Sequence, residues 1–209
     1  MPDTILDNNS FEILILQVSA TFINLSFEKI DKKLNENLKL IVHSLGIERS
    51  LLHLFSEDRK NLLLSNYYVK PGIKKPISKI TSKDQPYLTE KVLNGEILAI
   101  KRIEELPQTA RLEKKYLKQQ GVKSALTIPL AVNKEFIGVL TFTTVNYELS
   151  WPDYLIKRCQ LVGEIFGNAL DRKKQGQQIN QSLKIIEGQL KFEELCSIVS
   201  SEFIALNSG

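Results

Sequence analysis

Ser124-Ala125-Leu126-Thr127-Ile128-Pro129-Leu130-Ala131-Val132-Asn133-Lys134-Glu135-Phe136-Ile137-Gly138-Val139-Leu140-Thr141-Phe142-Thr143-Thr144-Val145 is the stretch that decides the fold. Two runs rich in β-branched and aromatic residues flank Asn133-Lys134-Glu135, a polar turn, and this is the clearest hairpin in the chain. One side of both strands is apolar, with Leu126, Ile128, Leu140 and Phe142. The other side carries Ala125, Thr127, Val139, Thr141 and Thr143, small residues with hydroxyl groups that suit either a solvated sheet face or a ligand cavity.

Outward from the hairpin, the pattern alternates between strands and helices. On the N-terminal side, Phe11, Leu14, Ile15, Val18, Phe22 and Leu25 fall at helical spacing. So do Phe27, Ile30, Leu34, Leu38, Ile41, Val42 and Leu45, a second helix that Gly46 stops. Residues 50–56 and 61–69 read as paired strands around a polar turn. Residues 71–85 read as a loop, residues 87–93 as a short helix, and residues 96–100 as a short strand. A further amphipathic helix over 109–120 places Leu112, Tyr116 and Leu117 on one face, and Gly121 stops it. After the hairpin, Ser150 is a candidate cap, and Pro152 and Asp153 suit the first turn of a helix that runs without a firm stop to about Leu206. Strands gathered between helices indicate an α+β fold with a central antiparallel β-sheet.

The last helix outruns any single domain. Ile165, Ala169, Arg172, Gly176, Ile179, Leu183, Ile186 and Leu190 alternate at spacings of four and three, the seam of a coiled coil. Ile165, Ala169, Ile179, Leu183, Ile186 and Leu190 are the expected contacts of a homodimer. Arg172 and Gly176 interrupt the seam and are expected to limit its stability or fix its register. The two ends of the chain also resemble one another. Phe11-Glu12, Leu14, Val18-Ser19, Phe22-Ile23 and Leu25 recur as Phe192-Glu193, Leu195, Val199-Ser200, Phe203-Ile204 and Leu206, as though a second repeat began there. The expected organisation is a disordered or tag-like segment over 1–9, a domain over 10–172, a coiled-coil signalling helix over 173–191, and the start of a second repeat over 192–209.

Composition narrows the function. The chain of 209 residues is 43% hydrophobic and 25% charged, ordinary for a soluble protein, with a net charge of +4 spread along its length. A nucleic-acid surface needs clustered basic residues, so none is expected. Two cysteines make no disulfide framework, and the polar N-terminus lacks the pattern of a signal peptide, so a cytoplasmic location without membrane contact is expected.

Three stretches resemble the GAF domains found upstream of sensory modules, histidine kinases and transcription activators in bacteria. They are Phe11 to Leu25; Gly121 to Leu130 followed by Phe136-Ile137-Gly138-Val139-Leu140; and Trp151-Pro152-Asp153 followed by Leu161 to Leu170. The resemblance implies a sheet with dimer-forming terminal helices on one face and a small-molecule pocket on the other. The half-polar side of the hairpin makes Ala125, Thr127, Thr141 and Thr143 the expected pocket residues, with Tyr68 and Tyr87, which flank the loop over 71–85, expected to close it.

Particular GAF chemistries need particular residues. Cyclic-nucleotide binders carry an Asn-Lys pair after the last strand, where this chain has Asn146-Tyr147. A sulfoxide reductase or a thioether-linked bilin needs an accessible thiol, whereas Cys159 and Cys196 read as helix-packing residues. Haem needs an axial ligand, and His43 and His53 read as structural. No metal set, catalytic pair or cofactor is expected. The expected function is a non-enzymatic sensory input domain of a signal-transduction protein, a histidine kinase or transcriptional regulator. It would act as a homodimer with an unidentified small-molecule ligand. The alternatives are a ligand-free dimerisation spacer and a small thiol-based enzyme.

Overall fold

The computed structural model describes the backbone of residues 8–207 and the side chains of 11–198. Of the expected N-terminal tag-like segment, residues 1–7 lie outside the described residues, as do 208–209 at the other end. Asn8 and Asn9 already belong to the first helix, α1 (Asn8–Thr21). Helix α2 (Ile30–Leu45) follows a short 3-10 turn (Phe27–Lys29). Its stripe of Ile30, Leu34, Leu38, Ile41, Val42 and Leu45 is buried, and Gly46 ends it with φ 73°, its N–H reaching the His43 carbonyl.

Strands β1 (Arg49–Phe55), β2 (Asn61–Val69) and β3 (Lys79–Thr81) come next, then helix α3 (Pro86–Leu93) and strand β4 (Leu98–Ile100). Helix α4 (Arg111–Gln119) precedes the hairpin of β5 (Ser124–Val132) and β6 (Glu135–Thr144), and α5 (Asp153–Asn207) closes the chain. The strands form one six-stranded antiparallel sheet in the order β3-β2-β1-β6-β5-β4. Strand β3 corrects the expected loop over 71–85. It is three residues long, and only Ile80 is buried, too short a signal for alternation to show.

The hairpin turn is tighter than the sequence pattern suggests. Only Asn133 and Lys134 lie between the strands, both with positive φ (50° and 68°), and Glu135 already pairs with Val132. Two consecutive left-handed residues give the turn whose twist matches the strands it joins. Gly138 has a different role. A Cβ there would lie 2.1 Å from the His53 carbonyl oxygen, so β6 approaches β1 as only glycine permits.

Because side chains alternate across a sheet, each central strand serves two faces. On one face Ser50, Leu52, Leu126, Ile128, Leu140 and Phe142 meet α1, α2 and α5 in the main core. Helix α5 starts at Asp153, so Ser150 is not its cap; the Pro152 carbonyl accepts the first N–H groups, from Leu155 and Ile156.

Leu155, Cys159, Val162, Phe166, Ala169 and Leu170 of α5 are buried in the same core. This corrects the seam. Ala169 is 1% exposed, buried within its own domain, and Ile165 is half-buried against the core. Arg172 and Gly176 are also intradomain contacts. Arg172 Nη2 donates to the Phe22 carbonyl at 2.6 Å, Lys173 Nζ lies 2.6 Å from Asp31, and the Phe27 ring rests against Gly176. Beyond this clamp Ile179, Leu183, Ile186 and Leu190 are more than half exposed (51–61%). The repeated stretch behaves likewise. Phe11 and Leu14 are buried in α1, while their counterparts Phe192 and Leu195 are exposed on α5.

Candidate functional site

The second face of the sheet is roofed by α3 and α4 and encloses a cavity of about 70 Å³. Its floor alternates from the central strands: Arg49, Leu51 and His53 from β1, Ala125 and Thr127 from β5, and Val139, Thr141 and Thr143 from β6. The hydroxyls of Thr127 and Thr141 lie 3.3 Å apart and share a hydrogen bond. The roof is Tyr87 and Leu88 of α3 with Glu113, Tyr116 and Leu117 of α4, and Gln120 just beyond it. The space holds several water-sized groups.

The electrostatics of this cavity are unusual for a protein interior. Arg49 is 2% exposed, yet no carboxylate pairs with it among the described residues. Its guanidinium donates instead to neutral acceptors: Nε to the Thr143 hydroxyl at 3.1 Å, Nη2 to the Gln120 carbonyl at 3.2 Å, and Nη1 to the Lys74 carbonyl at 3.5 Å. Burial pulls its pKa down, and Tyr116 and Glu48 pull it back up. A guanidinium stays charged through such shifts.

Glu113, 4% exposed, uses Oε1 to accept the N–H groups of Tyr87 (2.7 Å) and Leu88 (3.3 Å) at the start of α3. This satisfies donors that a helix N-terminus leaves free. Its Oε2 is buried without a partner. His53 Nε2, Gln85 Nε2 and Gln120 Oε1 are also buried without partners, and all four residues line the cavity. Burial pushes the His53 pKa down to about 4, against a smaller opposing pull from the Ile77 backbone, so the ring is neutral at physiological pH. Native interiors pair nearly all such atoms, so four around one cavity mark a place where something else supplies the hydrogen bonds.

Of the residues expected from the sequence, Tyr87, Ala125, Thr127, Thr141 and Thr143 line this cavity. Tyr68 does not. It pairs opposite Ser50 and so shares the face turned to the helices, where its hydroxyl lies 3.1 Å from His43 Nε2. The expectation erred because β2 is offset by a bulge, a register shift at Leu52/His53 that the sequence does not display.

Sequence reasoning missed Arg49, Gln85, Glu113 and Gln120, and took His53 for a structural residue. A signal was present for two of them. Glu113 and Gln120 stand three before and four after Tyr116, on one helical face.

The cysteines lie elsewhere. Cys159 sits in the helix-side core, where burial pushes its thiol up to about 12, and Cys196 is exposed far along α5. Tyr147, at the cyclic-nucleotide motif position, donates its hydroxyl to the Gly46 carbonyl. A broad open groove of about 630 Å³ lies at the turn end of the sheet beside α5, spanned by the Arg59–Glu135 ion pair, and holds none of the unpaired atoms. Among the described residues no cluster of three potential metal ligands occurs, and no helix is long and apolar enough to cross a membrane.

A model of the GAF domain family matches residues 30–170. Solved structures share the architecture at low identity. The phycocyanobilin-bound GAF domain of a cyanobacterial phytochrome superposes with a TM-score of 0.66 at 13% identity, over 78% of this chain and 94% of that one. The chromophore-binding domain of the bacteriophytochrome RpBphP3 from R. palustris gives 0.65 at 12% identity, over 81% of this chain and 64% of that one. The blue-light absorbing PixJ GAF domain of Thermosynechococcus elongatus gives 0.59 at 15% identity, over 82% and 95%. No curated protein matches.

Proposed function

The chain belongs to the GAF family, and we propose that it is a sensory, non-catalytic input domain of a longer signalling protein, a histidine kinase or a transcriptional regulator. It binds a small molecule in the sheet cavity and passes that state through α5 to a following module, working as a homodimer. The observation that carries this reading is the cavity itself, with four buried polar atoms awaiting partners. Its floor strands are the same strands whose alternate residues hold α5. Thr127 faces the cavity and Ile128 faces α5; Val139 faces the cavity and Leu140 faces the core. A ligand that prefers one arrangement of the floor therefore biases the packing of the helices behind it.

The cysteines and the cavity's size support a small ligand rather than a linked tetrapyrrole. Neither thiol lines the cavity, and about 70 Å³ falls well below the roughly 300–1,000 Å³ of pockets that take drug-sized molecules. The dimer contact this reading favours is the exposed stripe of Ile179, Leu183, Ile186 and Leu190, whose spacing is that of a parallel two-helix seam.

Light scattering on the full chain and on a version ending at Gln178, which keeps the whole clamp, tests the relay. A dimeric full chain and a monomeric truncation are expected, with Ile186→Asp in the full chain reproducing the truncation. A full chain that stays monomeric at high concentration would remove the dimeric relay. Dimers in both would move the contact to the domain's own helices.

A further inference from the structure

Taking the sensory reading as its basis, the charge pattern of the cavity defines the class of ligand. The cavity holds one buried cation and one buried anion, and they are not partners. A guanidinium has five N–H donors, and Arg49 places three on neutral oxygens, leaving two N–H groups free and the charge without a hydrogen-bonded carboxylate, balanced only through space by Glu48. Glu113 leaves one oxygen bare. Burying a charge without a hydrogen-bonded counter-charge is unfavourable, and a site that does so twice is completed by what it binds.

Glu113 lies near the start of α4, and Arg49, on β1, reaches the chain just past its end. Arg49 is tied to the carbonyl of Gln120, and seven residues separate Gln120 from Glu113, roughly 10 Å along the helix. Between the ends the walls are apolar, with Leu51, Leu88, Ala125 and Val139. The neutral His53 ring offers Nε2 near the floor.

We infer that the cavity binds a small zwitterion whose carboxylate and ammonium are separated by a short aliphatic spacer. The carboxylate meets the free N–H groups of Arg49, the ammonium meets Glu113 Oε2, and the spacer lies against the apolar walls. A dicarboxylate would set an anion against Glu113, and a diamine would set a cation against Arg49, so both are disfavoured by like charge. An α-amino acid holds its two charges too close together to reach both ends.

Calorimetric titration and thermal shift on the full chain test this with γ-aminobutyrate, δ-aminovalerate and ε-aminocaproate. Valerate, pentylamine, glutarate, cadaverine and norvaline serve as controls. At least one of the three ω-amino acids is expected to bind, with every control about tenfold weaker or more. Glu113→Gln keeps an oxygen for the start of α3 while removing the charge. It is expected to weaken the ω-amino acid about 30-fold or more and to leave valerate unchanged. Glutarate, valerate or norvaline binding as tightly as the best ω-amino acid would overturn the inference, as would Glu113→Gln with affinity within about twofold of the parent. If the variant does not give the parent's far-ultraviolet spectrum, the comparison among ligands on the parent chain decides alone. Binding of a neutral or singly charged compound with no response to any zwitterion would overturn the ligand class and leave the sensory reading standing. No response to any of these probes, nor to a wider set of polyols, amides and organic acids, would overturn both.

Discussion

Gly138→Ala adds one methyl group to the centre of the sheet, and its effect follows from the distances. The new Cβ would lie 2.1 Å from the His53 carbonyl oxygen and 2.9 Å from Leu54 Cα. An ordinary carbon–oxygen contact is about 3.3 Å or more, so β6 and β1 must separate locally by about 1 Å. Both neighbours are backbone, with no flexible side chain to move aside. Separation on that scale weakens the ladder bonds around the Leu54–Gly138 and His53–Val139 pairs, about 1 kcal/mol each. Overpacking adds about 1–3 kcal/mol. The expected loss is about 3–5 kcal/mol, or roughly 10–15 °C in melting temperature for a chain of this size. Urea titration followed by circular dichroism measures it. The control is Gly188→Ala, where the same methyl meets nothing within 4 Å on an exposed helix and causes no loss. A Gly138→Ala variant within about 1 kcal/mol of the parent would refute the close-approach argument. It would also undercut the claim that cavity floor and helix-side core are mechanically one sheet.

Three further outcomes are expected. The unfolded chain takes up a proton on His53 near pH 6.5 that the folded chain refuses until about 4. Stability is therefore full above pH 7 and falls by about 2 kcal/mol between pH 7 and pH 5, and His53→Gln flattens that slope in urea titrations at the two pH values. Alkylation followed by mass spectrometry modifies Cys196 in the folded protein and reaches Cys159 only after unfolding, because the buried thiol is held up to about 12 while Cys196 is exposed. Gly176→Val drives a side chain into the Phe27 ring, which a Cβ would already meet at 2.5 Å. It loosens the clamp and makes limited trypsin cleavage at Lys173 and Lys174 several-fold faster, with the rest of the domain still resistant.

The hairpin and the two N-terminal helices were legible because one apolar face packs against one layer, so period and burial coincide. Thr127, Thr141 and Thr143 were legible for the same reason: they alternate with Ile128, Leu140 and Phe142, and both faces of these strands are covered. Glu113 was not. It sits among Arg111, Lys114 and Lys115, and such a segment reads as solvated until α3 folds across it. Arg49 opens a strand, where a charge is ordinarily exposed, and only the turn of chain around Lys74 and Gln120 encloses it. The seam does not extend to the buried Ala169, because spacings of three and four serve both a coiled coil and an amphipathic surface helix. What covers the stripe, not its period, decides between them. Arg172 and Gly176 broke the heptad because they answer to Phe22 and Phe27 of the same chain.

The clamp at Arg172, Lys173 and Gly176 is also a fulcrum. From Gln177 to Asn207 the helix continues for 31 residues, an arm of roughly 46 Å. Over that length a pivot of about 2° moves the far end by about 1.6 Å. The displacement needed inside the domain is correspondingly small, no more than the adjustment of a few side chains. Under the proposed relay, a sub-ångström shift beside the cavity would thus become a displacement several times larger at the far end, set by the length of the rod beyond the pivot.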